Sequence, residues 1–129
     1  MVDSSMSSLH SFSGAFGGGA NEMTAVLEPA RAMFRGLIVE RIMALEAYRK
    51  LVQHGENPQD ELAKIAGIAH KISGVGATLG FFRTGQLAGN LDRAITENPA
   101  KCADPAYFQL IIDPMLESLL MEMESLLDD

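Results

Sequence analysis

The side chains of this chain that are best suited to chemistry are its histidines, of which there are three. His10 lies in a stretch dominated by Ser and Gly, and His54 stands directly before Gly55, a pair typical of a helix C-terminus. His70 differs because it falls in the middle of a long helical pattern. An imidazole on the exposed face of a helix is available as a nucleophile or as an acid–base group. His70 is therefore the first candidate for a reactive residue.

The helix predicted around His70 has one apolar face, and the histidine lies on the opposite side. With His70 at zero on a wheel of about 100° per residue, five aliphatic residues fall within about 40° of the far side. They are Ile65, Ile68, Ile72, Val75 and Leu79. An apolar stripe of this kind faces the core, so we expect the His70 side chain to point into solvent.

The face that carries His70 contains small neighbours. Within about 60° of the histidine on the same wheel lie Ala63, Ala66, Gly67, Ser73, Gly74 and Ala77. Each glycine in a helix interior costs roughly 0.5–1 kcal/mol relative to alanine. We interpret this cluster of small side chains around His70 as room for the backbone of another protein. The alternative is that a neighbouring helix or loop packs there and leaves His70 half-buried and hydrogen-bonded.

The charge around His70 differs from that of the chain as a whole. The formal net charge is −7, yet no acidic residue occurs between Glu61 and Asp92. The same window contains Lys64, Lys71 and Arg83, which predicts a positive surface that suits a phosphoryl group or an acidic partner. General acid–base catalysis fits less well, because no carboxylate near His70 in the sequence orients the imidazole.

The elements that position His70 are predicted to be helices. We predict a short helix over about 21–28 and a long one over about 29–53, which Pro29 starts. The helix with His70 runs from Asn57-Pro58 to about Leu79. Further helices are predicted over about 81–97 and from Asp104-Pro105 onward. Gly80 ends the His70 helix, and Pro114 predicts a kink or a restart in the last helix. No run with strict strand alternation occurs. The predicted fold class is all-α, an antiparallel four-helix bundle over residues 21–129 with a short extra N-terminal helix, preceded by a flexible Ser/Gly-rich tail over residues 1–20.

Composition excludes several classes of function. An acidic chain argues against nucleic-acid binding, and no apolar run approaches the roughly 20 residues of a membrane helix. Cys102 is the only cysteine, so no intrachain disulfide is expected and a cytoplasmic location is the natural interpretation. The histidines and the cysteine lack metal-ligand spacing, so we predict no metal and no cofactor.

The segment around the histidine resembles the signature of the histidine-phosphotransfer (HPt) domain family. The matching residues are Ala69-His70-Lys71-Ile72-Ser73-Gly74, followed by Gly80. The resemblance implies that His70 is the phosphoacceptor and that Gly74 leaves room for an incoming receiver domain. It also implies a four-helix bundle with His70 near the middle of an exposed helix face. From the small residues and the charge around His70, we expect the phosphoryl and partner surface to include Lys64, Ala66, Gly67, Lys71, Ser73, Gly74 and Ala77. The chain departs from the family at Ser73, where a lysine thought to steady the phosphoryl group is usual, and Lys71 is a possible substitute.

The implied function is that of a phosphorelay intermediate in two-component signalling. His70 would accept a phosphoryl group from the aspartate of a receiver domain, for example in a hybrid histidine kinase, and donate it to a response regulator. Magnesium would belong to the receiver domain. The chain is too short to hold an ATP-binding kinase domain beside the bundle, so it would not phosphorylate itself from ATP. Two alternatives remain: a module that binds or sequesters a receiver domain without phosphotransfer, and a purely structural helical bundle.

Overall fold

The computed structural model describes residues 20–55 and 58–128, with side chains described from residue 25 onward. Every element in these ranges is helical, which confirms the predicted all-α class. None of the helices in this part of the chain is long and apolar enough to cross a membrane. The tail predicted over residues 1–20 lies outside the described residues except for Ala20, the first residue of a helix.

Contacts divide the chain into two units, Met1–Met33 and Phe34–Asp129. The described part of the first unit is the beginning of helix α1, Ala20–His54. The second unit contains the rest of α1 and every later helix. His70 and all of the residues that surround it therefore belong to the second unit.

Helix α1 corrects the prediction of a break at Pro29. The helix runs without interruption from Ala20 to His54, with Pro29 inside it. A proline lacks the N–H that would bond to the carbonyl four residues earlier, here that of Ala25. Both Ala25 and Pro29 are exposed, so water can hydrate the freed carbonyl and the helix tolerates the proline. The end of the helix at His54 and Gly55 agrees with the prediction.

The helix that carries His70 is α2, Pro58–Leu79, and α3, Phe82–Glu97, follows after a tight turn. Gly80 has a φ of 88°, a left-handed conformation that glycine adopts without a Cβ clash. The Phe81 N–H donates to the Gly76 carbonyl at 2.8 Å, as in a Schellman motif. This short connection returns the chain along α2, so the two helices form an antiparallel hairpin.

The C-terminal part of the chain contains three helical segments and a π-helical turn. A short helix α4, Pro99–Cys102, was not predicted, and α5, Pro105–Tyr107, begins at the expected cap, where the Tyr107 N–H donates to Asp104 Oδ2 at 3.1 Å. A π-helical turn, Phe108–Ile112, then leads into α6, Asp113–Ser125. This turn is the interruption that Pro114 predicts, because proline supplies no N–H to an α-helical bond.

The core of the second unit draws on all of the long helices. α1 and α6 are joined by Arg49, which donates to Asp113 at 2.7 Å and 2.9 Å and to Glu117 at 2.7 Å. The bond to Asp113 raises the pKa of Arg49. α3 contacts both α2 and α6. The largest fully buried side chains come from α1, α2, α3 and the C-terminal segments, namely Ile38, Leu45, Leu62, Ile65, Ile72, Leu91, Ile95, Ile112, Leu116, Leu119 and Met123.

Candidate functional site

His70 lies near the middle of α2 on its solvent side, as the helical wheel predicts. Its side chain is 77% exposed. The opposite face of the helix contains Ile65, Ile72 and Leu79, all of which are buried. Val75 departs from the prediction, because it is 41% exposed and lies at the edge of the apolar stripe. The helix therefore fixes the backbone of His70 through its buried face and presents the imidazole to solvent.

A carboxylate from the neighbouring helix holds the imidazole. Asp92 on α3 accepts a hydrogen bond from His70 Nδ1, with 3.0 Å between Nδ1 and Oδ2. The Asp92 side chain is only 19% exposed, so it is the more buried partner. An ionised carboxylate can only accept hydrogen bonds, so in neutral His70 the proton lies on Nδ1 and the lone pair on Nε2. This arrangement presents a nucleophilic nitrogen to solvent.

Asp92 is the functional residue that sequence reasoning missed. The expectation from the sequence concerned only carboxylates near His70 along the chain, whereas Asp92 is 22 residues away and orients the imidazole across the hairpin. The tight turn predicted at Gly80 could have indicated the contact between His70 and Asp92. Residues of an antiparallel hairpin that are equally distant from the turn lie side by side, and His70 and Asp92 are nearly so.

Two kinds of glycine lie along the hairpin. At Gly67 and Gly74 an added Cβ would meet no atom within 4 Å, so nothing in this chain requires a glycine there. At Gly76 a Cβ would lie 3.1 Å from the backbone of Gly85. Gly76 and Gly85 therefore allow close contact between α2 and α3. Gly67 and Gly74 destabilise the helix relative to alanine without allowing any such contact.

The other predicted surface residues are divided between the surface and the interior. Ala77 is exposed and Ser73 is half-buried. Ala66 corrects the prediction, because it is 3% exposed and lies at the floor of a groove rather than on the open surface. Lys64 is exposed, and its ammonium lies 5.5 Å from the centre of the Tyr48 ring on α1, where the ring attracts the cation. Lys71 is exposed and remains beside His70.

The groove beside His70 lies between α2 and α3 and has a volume of about 570 Å³. Its walls combine aliphatic side chains with the polar edge that His70 and Asp92 form. It is lined by Gln59, Leu62, Ala63, Ala66, Gly67, His70, Lys71, Asp92, Ile95, Thr96 and Pro99. A surface that is apolar inside and polar at its rim has the composition of a protein-binding site.

Other reactive groups do not add to this site. Within residues 20–55 and 58–128, no group of three or more His, Cys, Asp or Glu residues could hold a metal ion. Cys102 is buried, its thiol donates to the Ala94 carbonyl at 3.4 Å, and burial raises the pKa of the thiol. A thiol in this state is a poor nucleophile. The chemistry of the described residues therefore centres on His70.

Comparison of the chain with protein-family models, with characterised proteins and with solved structures finds no match.

Proposed function

We propose that the chain is a histidine-phosphotransfer protein of the HPt family, in which His70 accepts a phosphoryl group from a phospho-aspartate of one receiver domain and donates it to the aspartate of another. The observation that carries the proposal is the setting of His70. Its imidazole is exposed on a helix, Asp92 holds Nδ1, and the surrounding positions at Gly67 and Gly74 are open. These are the needs of a nucleophile that another protein must reach.

The transfer step uses the nitrogen that Asp92 leaves available. The Nε2 lone pair of His70 attacks the phosphorus of the partner's acyl phosphate, and the N–P bond forms as the bond from phosphorus to the carboxylate oxygen breaks. The bonding electron pair leaves with the partner's carboxylate. The proton on Nδ1 stays in its hydrogen bond to Asp92, which offsets the positive charge that the ring gains. Donation to the second receiver reverses these steps.

The protein's own contribution is positioning and access. Phosphoryl transfer needs in-line approach and charge stabilisation more than covalent assistance from the protein. A receiver domain would dock over Gly67, Gly74 and Ala77, with the groove beside His70 receiving part of its surface. Magnesium would be supplied by the receiver domain, and a hybrid histidine kinase and a response regulator are the expected partners. With such partners, the proposed location is the cytoplasm.

We also propose that the second unit is an antiparallel four-helix bundle. The contacts around it support a closed arrangement, because α2 pairs with α3, α3 contacts α6, and Arg49 joins α1 to α6. Lys64 over the ring of Tyr48 joins α1 to α2. A bundle of this kind supports an exposed helix face from behind through a continuous core.

The alternative function is a module that binds a receiver domain and withholds it from phosphotransfer. Ser73 favours this alternative, since the family's usual lysine is missing there. The groove beside His70 would serve binding equally well in either case. The two functions differ in one respect only: whether phosphate reaches the chain.

A transfer assay distinguishes these functions. Receiver domains carrying radiolabelled phospho-aspartate are mixed with the wild-type chain, with His70→Gln and with His54→Gln, and acid-labile, base-stable label on the chain is followed. His54 is an exposed histidine at the end of α1 and serves as the matched control. The proposal predicts label on the wild type and on His54→Gln but not on His70→Gln. A folded wild type that binds a receiver and takes up no label would favour the sequestering module.

A further inference from the structure

The seam between α2 and α3 continues beyond the His70–Asp92 hydrogen bond into a second, smaller groove of about 320 Å³. Its walls contain one charged side chain, that of Arg93. The lining residues are Ser73, Ala77, Phe82, Gly85, Gln86, Gly89 and Arg93. Ser73 lies one helical turn after His70, and Arg93 directly follows Asp92. This second groove therefore adjoins the candidate site on the side away from the first groove.

The Arg93 guanidinium is directed toward α2. Gly89 leaves a gap in α3, and a Cβ built there would lie 3.0 Å from Ser73 Oγ and 3.5 Å from Arg93 Nη1. The side chains of Ser73 and Arg93 thus converge on the same point of the seam. Arg93 Nη2 also donates to Asn90 Oδ1, one turn earlier on the same helix. Because this bond limits the rotamers of Arg93, less entropy is lost when the guanidinium binds an anion.

The site needs a cation once it is phosphorylated. A phosphoryl group adds close to two negative charges near pH 7, and the Asp92 carboxylate is already bonded to the same ring. Like charges so close together repel each other unless a cation lies between or beside them. Arg93 is attached one residue from Asp92, and its long side chain is exposed. A guanidinium beside Ser73, one helical turn from His70, can bind two oxygens of a phosphoryl group at once.

We propose that Arg93 is the phosphoryl-binding residue of this site: its guanidinium, supplied by α3, contacts the phosphoryl group on His70 beside Ser73. The proposal rests on the proposed function in that His70 carries phosphate. It assigns to α3 both the group that orients the imidazole, Asp92, and the group that holds the phosphate. Residue 73 then needs to be small, because the space beside it is used by Arg93.

The other Lys and Arg side chains of α2 and α3 have different positions. Lys64 lies over the ring of Tyr48. Arg83 pairs with Glu122 on α6, at 3.4 Å between Nε and Oε1. Lys71 lines the first groove, on the other side of the His70–Asp92 bond. Under this proposal, the titratable groups beside the phosphoryl group are His70 and Lys71 on α2 and Asp92 and Arg93 on α3.

The test phosphorylates the full chain without a partner. Phosphoramidate is used as the donor. The bond from phosphorus to His70 Nε2 forms as the P–N bond of phosphoramidate breaks, and ammonia leaves with the electron pair. The ³¹P resonance of phosphorylated His70 is identified by its loss in His70→Gln and is titrated with pH. A neighbouring guanidinium favours the dianionic phosphoryl group, and the midpoint of this titration reports that contact.

We expect Arg93→Gln to move the midpoint to higher pH by about half a unit, an effect that salt reduces. Arg93→Lys should retain most of the wild-type value. Arg83→Gln, the same change on the same helix, should leave it unmoved. A midpoint that is unchanged in Arg93→Gln would overturn the proposal, as would a larger movement in Lys71→Gln than in Arg93→Gln.

The outcome separates this proposal from the proposed function. If phosphoramidate labels His70 and Arg93→Gln moves the midpoint while no receiver domain transfers phosphate, the relay function fails and the phosphoryl-binding role of Arg93 stands. If receivers do transfer and the midpoint does not move, the role of Arg93 fails alone. A wild-type His70 that takes phosphate from neither donor contradicts both proposals.

Discussion

Replacing Asp92 with asparagine tests how the imidazole is oriented. In the wild type the carboxylate accepts the Nδ1 hydrogen at 3.0 Å and cannot donate one. The amide group of the asparagine variant could present either its oxygen or its NH₂ group, so it would select the tautomer less strongly. The hydrogen bond joins a 77% exposed side chain to one that is 19% exposed. For such partly exposed pairs a coupling of about 0.2–1 kcal/mol is typical.

This energy sets the size of the expected effect. A change of about 1 kcal/mol corresponds to roughly a fivefold change in an equilibrium constant. We therefore expect Asp92→Asn to shift the ratio of the two neutral tautomers of His70 by up to about fivefold toward the Nε2–H form. Because that form lacks a lone pair on Nε2, the initial rate of phosphotransfer should also fall, by at most the same factor.

The assay measures both quantities on the same samples. The ¹⁵N chemical shifts of the two ring nitrogens give the tautomer ratio at a pH where His70 is neutral, and transfer from a phosphorylated receiver gives the rate. Asp104→Asn is the matched control, because asparagine caps a helix as well as aspartate does and Asp104 caps α5 away from His70. An unchanged tautomer ratio in Asp92→Asn would refute the orienting role. A rate loss of a hundredfold or more would refute the estimate, because it would require a larger part in the chemistry.

The remaining predictions concern stability and access. Gly74→Ala should raise the melting temperature by a few degrees, because the added Cβ meets no atom and alanine favours a helix by roughly 0.5–1 kcal/mol. Gly76→Ala should lower the melting temperature, because its Cβ would lie 3.1 Å from the backbone of the adjoining helix. Gly74→Leu should stay folded by circular dichroism yet lose most phosphotransfer, and transfer at the wild-type rate would contradict docking over this face. Arg49→Met should cost about 1–3 kcal/mol in urea unfolding, because it leaves the half-buried carboxylate of Asp113 without its partner. Burial raises the pKa of the Cys102 thiol above its ordinary value of 9.0. The native state therefore keeps the thiol proton to higher pH than the unfolded state, and the free energy of unfolding should fall as pH rises above that value. The free energy of unfolding of Cys102→Ala should fall less steeply over the same range.

The sequence predicted well the features that depend on neighbours along the chain. The limits of α2 follow from Pro58 at its start and Gly80 after its end, and both are where expected. The cap at Asp104 depends only on a side chain and an N–H three residues later. The exposure of His70 follows from the period of one helix, so a helical wheel suffices to find it.

The features that were missed depend on contacts between helices. A wheel describes one helix at a time, so it could not show that Asp92 reaches His70 from α3 or that Lys64 turns toward the ring of Tyr48. Val75 is 41% exposed because the buried stripe of α2 is narrower than the wheel implies. Pro29 does not break α1, because the carbonyl that it leaves without an N–H partner is on an exposed part of the helix and can be hydrated.

We propose that phosphate is carried on Nε2 of His70. The most direct measurement is NMR of the ¹⁵N-labelled full chain after incubation with a phosphorylated receiver domain, in which ³¹P–¹⁵N coupling identifies the ring nitrogen bonded to phosphorus. The account predicts coupling to His70 Nε2, with Nδ1 still protonated in its bond to Asp92. Coupling to Nδ1 would contradict the orientation by Asp92. A receiver that binds the chain and leaves His70 without phosphate would contradict the phosphotransfer function.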